Sequence, residues 1–361
     1  MNQSSVYRAL LHLVACGLGH KPQEEMPVLS VEEWYSLFDL SEEHGVNGIA
    51  AEGFNMLHPQ LPEDDALEYR KFQWFGEVMR MEDAYVQYKA DCKSLTALMA
   101  ENGLQMILLK GLACGVNYPN PEHRPYGDVD VYFVNGPKES WNSENKGDMP
   151  AWKRADEVIR KMGIKVDVSH HHHTVYRWHE TLVENHYDFV NVHAHRSSKR
   201  LEQYLKSLVH EVDNECQKTE DGWYMPSAEL HAMFLLYHTA AHLSGAGMLL
   251  RQLVDWHLFA KKLDTAFDWD AFRQKTKEMG KDRFLVVMEH LCEFCFDGMK
   301  AYDDLSSMEK RVLDDMFTNH TNGGLRHLIK DQWKYRLCYS DNSVIDNITM
   351  LISHLVRPEV E

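Results

Sequence analysis

The sequence predicts an α+β fold, with a small sheet-bearing core between an N-terminal helical region and a C-terminal helical bundle. Three observations predict it. Apolar residues recur at helical spacing through the first hundred residues, short β-prone runs punctuated by Gly and Pro occupy roughly the next hundred, and helical spacing returns from Leu201. The expected segments are 1–103, 104–200 and 201–361.

The first segment contains Leu13-Val14-Ala15-Cys16, which has the form of a lipoprotein cleavage box. The apolar run before it extends only from Ala9 to Leu13 and is interrupted by His12, whereas a signal h-region takes ~7–15 apolar residues. An amphipathic first helix is expected instead. Ser30-Val31-Glu32-Glu33 is a capping box ahead of Trp34, Leu37 and Phe38, and Gly45 ends that helix. A long helix is expected from about Ala66 to Ala100, with Phe72, Phe75, Val78, Met79, Ala84, Tyr85 and Tyr88 as a broad apolar stripe. Gly103 terminates it.

In the second segment, Gln105 to Leu109 reads as a buried strand, Leu112 to Val116 as one or two helical turns, and the proline-rich Pro119 to Pro125 as a loop. Val129, Val131, Tyr132 and Phe133 mark the next strand. A polar loop over 135–150 leads to an amphipathic helix from Ala151 to about Met162. Ile164 to Val168 reads as another strand, and Thr181 to Val192 holds one or two more. In the third segment, Ser227 caps a helix carrying Leu230, Met233, Phe234, Tyr237 and Ala241, followed by Met248 to Lys262 and Phe284 to Met299.

Composition narrows the function. A hydrophobic content of 44% with 11% aromatics excludes a disordered chain. The formal charge of −17 repels phosphate backbones, which counts against general nucleic-acid binding but leaves room for a local basic pocket from Lys110, Arg124, Lys199 and Arg200. Seven scattered cysteines suit reduced thiols and a cytoplasmic setting, and Cys292-x-x-Cys295 reads as a buried helix face. No run of about 18 apolar residues is present, so no membrane span or membrane partner is expected.

The most telling stretch is Lys110 to Tyr132. Asp128 and Asp130 lie one residue apart in a β-prone run, so a strand would present both carboxylates on one face, where they could share a divalent metal. Such an arrangement suits phosphoryl or nucleotidyl transfer. The order Lys110-Gly111, Tyr118-Pro119, Arg124 and Gly127-Asp128-Val129-Asp130 resembles the bacterial family called uncharacterised nucleotidyltransferases, within the DNA polymerase β-like superfamily. The resemblance implies a small mixed-sheet nucleotidyltransferase core using Mg²⁺ or Mn²⁺ and an NTP.

It also implies a third carboxylate on a later strand. Leu182-Val183-Glu184-Asn185-His186 resembles the family's element in which an acidic residue stands two positions before a histidine, so Glu184 is the candidate and Asp188 the reserve. The alternative alignment puts Asn191, of Asn191-x-His193, at that position. Lys110 and Gly111 would then face phosphate, and Arg124 is either a phosphate fork or an ordinary loop arginine. His238 and His242, at i, i+4 on a helix, followed by Arg251, Gln252 and Asp255, are either a buried salt-bridged network or part of the pocket. The four histidines His170 to His173 read as a solvated loop beside the site, since neighbours on an extended segment alternate sides.

The expected activity is transfer of a nucleoside monophosphate to a small-molecule or protein acceptor, a tRNA end being the one nucleic acid retained. Two other classes stay open. One is a catalytically silent nucleotide- or partner-binding module, and the other a metallohydrolase centred on His238 and His242.

Overall fold

The computed structural model describes residues 5–21, 25–141, 149–193, 195–211, 215–245, 247–263, 267–298, 301–318 and 332–341. Helices α1 (Ser5–Gly17), α2 (Val31–Glu43) and α3 (Asn47–Leu57) pack together at the N-terminal end, and α4 (Asp65–Glu101) runs beneath them for 37 residues. Cys16 lies on the buried face of α1. The Ser30 capping box forms: Ser30 Oγ accepts from the Glu33 amide and the Glu33 carboxylate accepts from the Ser30 amide. Gly45 and Gly103 both take positive φ, 62° and 72°, which lets the chain turn where each helix ends.

A six-stranded mixed sheet forms the centre. Its strands are β1 (Leu104–Leu108), β2 (Val129–Asn135), β3 (His173–Trp178), β4 (Thr181–His186), β5 (Gln217–Lys218) and β6 (Tyr224–Met225), in the order β3-β4-β2-β1-β6-β5. β2 pairs antiparallel with β1 and parallel with β4, and the outer pairs β3/β4 and β5/β6 are antiparallel. Helix α5 (Leu112–Gly115) follows β1, and α6 (Ala151–Lys161) packs on β2. Beyond the sheet come α7 (Ser198–His210), α8 (Ala228–Ser244), α9 (Leu250–Lys262) and further helices.

Alternation along β2 sorts the two cores. Val129, Val131 and Phe133 pack with Leu95, Met99 and Ile159 from α4 and α6, whereas Tyr132 and Val134 join the larger core shared with Leu205, Phe234 and Leu253. Asp130 shares a face with Tyr132 and is therefore turned toward α8. That placement builds the site.

The structure differs from the sequence reading at several elements. Ile164 to Val168 forms no strand, only an isolated bridge from Asp167 to Val175. The strand in that region is β3, and it begins inside the histidine run: His173 is buried and hydrogen-bonded edge chemistry with β4 holds it there, so the solvated-loop reading fails for it. Thr181 to Val192 supplies one strand, β4. The hairpin of β5 and β6 adds two short strands from a region read as helical, with Tyr224 pairing parallel to Ile107. The apolar stripe of α4 is split, since Val78 and Tyr88 are buried while Phe72 and Met79 are about two-thirds exposed at 68% and 65%. The helix after Phe284 ends at Cys292 and continues as a π-turn from Glu293 to Asp297; Met299 lies outside the described residues, as does 142–148 of the polar loop.

Candidate functional site

A cavity of about 480 Å³ opens over the β4–β2 side of the sheet, beneath α8 and the start of α9. Its size falls among small-molecule sites of roughly 300–1,000 Å³. Lys110, Gly111, Arg124, Gly127, Asp128, Asp130, Glu184, His238, His242, Arg251 and Asp255 all line it. His186 lies behind them at 3% exposure.

The register of β2 and β4 makes the centre. Asp130 is the pairing partner of Glu184, and Tyr132 that of His186, so Asp130, Glu184 and His186 emerge on one face. His186 Nε2 lies 3.3 Å from Asp130 Oδ1 and 3.6 Å from Glu184 Oε2. Neither Asp188 nor Asn191 takes the position beside Asp130: Asp188 pairs with Lys206, and Asn191 Oδ1 accepts from the His193 amide. Asn185 points to the opposite face, where its amide donates to Asp156 and to the Trp152 carbonyl.

Asp128 stands one residue before β2 rather than within it, on the lip of the cavity. Its carbonyl accepts a hydrogen bond from the Tyr88 hydroxyl of α4 at 2.8 Å. The same hydroxyl accounts for Gly111. A Cβ on that residue would meet Tyr88 Oη at 2.3 Å, and its φ of 62° disfavours any other residue. Gly127 is different, with open space where a Cβ would be.

Lys110, just after β1, places Nζ 3.1 Å from Asp130 Oδ2 and 2.9 Å from His238 Nε2. Burial disfavours its charge, but Asp130, Asp128 and Glu184 outweigh that and raise its pKa. Asp130 is likewise penalised by burial, yet Lys110 and His186 hold its carboxyl below the usual range. His186 is buried too, and the two carboxylates lift it to about 9, making it a second counter-cation. Asp128 shows the unbalanced remainder: the Asp130 charge, then burial, pushes its carboxyl up. His238 and His242 are held low by burial and then by Lys110, His242 at about 4.

Arg124 and Asp255 form a bidentate pair, with Nε to Oδ1 and Nη2 to Oδ2 both at 2.9 Å, and the Tyr118 hydroxyl donates to Oδ1 at 2.7 Å. The guanidinium fork is thereby committed to Asp255. Asp255 does not pair with Arg251, its i−4 neighbour. Among the described residues the Arg251 side chain reaches the Pro125 carbonyl, at 3.5 Å through Nη1, and its buried Nε makes no hydrogen bond. The His238 and His242 rings lie 4.5 Å apart and tilted at 56°, but the Lys110 ammonium occupies the His238 ring nitrogen, and no third ligand joins the pair among the described residues.

The carboxylates fit a divalent cation. Asp130, Glu184 and His186 each offer an atom within 4.8 Å of the others, and Asp128 beside them is a carboxyl raised by a neighbouring negative charge, which a cation would relieve. Sequence reasoning met Tyr88 only in an apolar stripe, Tyr118 only in the family-like order and His172 and His173 only as a solvated loop, and gave none of them these contacts. The alternation of β-branched and aromatic residues in Thr174-Val175-Tyr176-Arg177-Trp178 was the signal that would have located β3.

Comparison with known proteins gives a family match. The family described as uncharacterised nucleotidyltransferase matches residues 30–139 and 147–297, a span that includes every residue named from Lys110 to Asp255. No curated protein and no solved structure matches. Among the described residues, no helix is long and apolar enough to cross a membrane.

Proposed function

The chain belongs to the family of uncharacterised nucleotidyltransferases, and from that premise we propose that it moves a nucleoside monophosphate from an NTP to a small-molecule or protein acceptor and releases pyrophosphate. The observation that carries this reading is the pairing of Asp130 with Glu184 across β2 and β4, with Asp128 on the lip of the same cavity.

Asp128, Asp130 and Glu184 are the residues that would hold Mg²⁺ or Mn²⁺, as hard cations prefer oxygen ligands. When bound, the cation neutralises charge on the triphosphate and on the atoms exchanging at phosphorus. The remaining steps belong to side chains. A nucleophilic oxygen of the acceptor forms a bond to the α-phosphorus as the bond from that phosphorus to the bridging oxygen breaks, and pyrophosphate carries away the electron pair. Glu184, 22% exposed on its side chain and facing the cavity, takes the acceptor's proton.

Phosphate contacts fall to Lys110 and Arg251. Lys110 lines the cavity beside Asp130 as a cation, while Arg251 lines it with a buried Nε that has no partner among the described residues. Arg124, committed to Asp255, instead fixes the loop that carries Asp128. The charge of −17 favours a compact acceptor over a long nucleic acid, with a tRNA end the smallest nucleic-acid substrate compatible with it. A cytoplasmic setting and the three-segment division at 103 and 200 belong to the same reading.

One observation favours a second reading, a nucleotide-binding module without turnover. Both oxygens of Asp130 already face cations, Lys110 and His186. Incubation of the protein with each α-labelled NTP, Mg²⁺ or Mn²⁺ and a cell extract separates the two. Transfer predicts label on an acceptor, lost in Asp128→Ala/Asp130→Ala; retention of transfer in that variant refutes the mechanism, and nucleotide binding without label transfer supports the silent module.

A further inference from the structure

Nucleotidyl transfer leaves one buried and one half-buried imidazole at the β3–β4 edge without a role. His172 lies in the bend that leads into β3, His173 is the first residue of β3, and register pairs His173 with His186 on β4. The bend cancels the alternation that would send His172 and His173 to opposite sides. Their ring centroids are 4.4 Å apart, and each ring lies within 5.5 Å of the His186 ring.

These rings lack the hydrogen bonds that buried polar atoms ordinarily make. His173 is 7% exposed, and among the described residues neither of its ring nitrogens has a hydrogen-bond partner, nor does Nδ1 of His172. Glu184 Oε1 lies 3.8 Å from His173 Nε2, too long for a hydrogen bond. One donor nitrogen from each of the three histidines lies within 4.8 Å of the other two. Unpartnered nitrogens on His172 and His173, grouped with the His186 ring whose nitrogens face Asp130 and the Asp188 carbonyl, make an imidazole donor set suited to a borderline transition metal, whereas Mg²⁺ selects oxygen.

We propose that His172, His173 and His186 form a nitrogen-donor subsite for a divalent transition metal of the zinc class, beside the carboxylates. His186 releases its proton to solvent and exchanges its 3.3 Å contact with Asp130 for the metal. Glu184, close to both His173 and His186, is the oxygen positioned to complete the set. The subsite rests on the imidazoles and not on nucleotidyl transfer, so either can fail alone.

The test uses the full chain stripped of metal, titrated with Zn²⁺ by calorimetry and with Co²⁺ by visible absorption. One equivalent of Co²⁺ should give the d–d bands of a nitrogen-bound site. His173→Ala and His172→Ala should each weaken Zn²⁺ binding by at least about 10-fold, the size of effect that even outer-shell partners of a metal carry. His171→Ala, altering the exposed neighbour, should leave binding unchanged. If His171→Ala loses as much affinity as His173→Ala, the metal is held loosely by the exposed run and the proposal is wrong. It is equally wrong if the wild-type chain gives no d–d bands. Should His173→Ala fail to fold by circular dichroism, the half-buried His172→Ala decides. Pyrophosphate release with Mg-NTP, measured on the unaltered chain, reports on nucleotidyl transfer separately.

Discussion

Asp130 and Glu184 are register partners on the parallel strands β2 and β4, and His186 Nε2 lies 3.3 Å from the first and 3.6 Å from the second. Their separation is set by backbone pairing in the middle of a sheet rather than by loop conformation. Central strands buried on both faces hold such geometry with little freedom. The carboxylates are therefore presented as a rigid pair, with mobility left to the cavity's rim.

Replacing Glu184 by Gln keeps the shape and removes the charge. Nucleotidyl transfer should fall by about 10²–10³-fold, the usual loss when one preorganised charged contact to the transition state is removed. Circular dichroism should be unchanged, because Glu184 is partly exposed and packs against no core. An unaltered rate of labelled-NMP transfer in Glu184→Gln would remove it from the mechanism.

The facing of Asp130 and Glu184 was legible in the sequence because each stood in a β-prone run of known period, whereas Asp128, expected on the same strand, lies one residue before it. The facing of His172 and His173 was not legible, because strict alternation assumes a straight strand and the bend before β3 breaks that assumption. The β5–β6 hairpin was missed for another reason. Two-residue strands carry no periodicity, and their place in the sheet is fixed by the single long-range pairing of Tyr224 with Ile107. Arg124 illustrates a third limit: its type suggested phosphate, while its partner Asp255, 131 residues away, is visible only in the fold.

Gly111 and Tyr88 give a coupled test. Gly111→Ala sets a methyl against the Tyr88 hydroxyl and places alanine at φ 62° and ψ −115°, a sparsely populated region that costs roughly 1–3 kcal/mol for a non-glycine residue. The variant should lose both stability and transfer activity. Adding Tyr88→Phe removes the oxygen that clashes and should recover part of the stability, although the strain at φ remains. Activity should recover less, since the bond from Tyr88 to the Asp128 carbonyl is gone. A double variant no more stable than Gly111→Ala would show that the hydroxyl is not the obstacle.

Lys281 predicts an alkaline effect on stability. It is buried at 1% exposure, donates to the Cys338 carbonyl at 2.7 Å, and lies 3.6 Å from the Tyr339 ring centroid. Burial lowers its pKa from 10.5 to about 8. Between those values the unfolded chain holds the proton that the folded chain has released, so unfolding free energy from this residue rises with pH from about 8 to 10.5 and is flat below. Urea titrations at pH 7 and pH 10 should show the stability difference between wild type and Lys281→Met shifting in favour of wild type at the higher pH. A difference independent of pH would mean that Lys281 is not titrating in the folded state.

The Arg124–Asp255 pair should behave as a buried structural bridge rather than a substrate contact. Both side chains are under 10% exposed, and the pair is bidentate with Tyr118 as a third member. Removing one partner strands the other charge, so Asp255→Ala should cost about 3–5 kcal/mol, read as a lower urea midpoint. The double variant Arg124→Met/Asp255→Leu leaves no buried charge and should regain much of that loss, less the cost of the unpaired Tyr118 hydroxyl. Asp255 also has its carboxyl held low, burial being outweighed by Arg124, so its contribution is complete above pH about 4 and disappears as pH falls through the lowered value. If Arg124 instead bound triphosphate directly, Arg124→Met/Asp255→Leu would raise the KM for NTP sharply while remaining folded. A KM close to wild type in the restabilised double variant is the expected result, and it would leave Arg251 as the arginine available to phosphate.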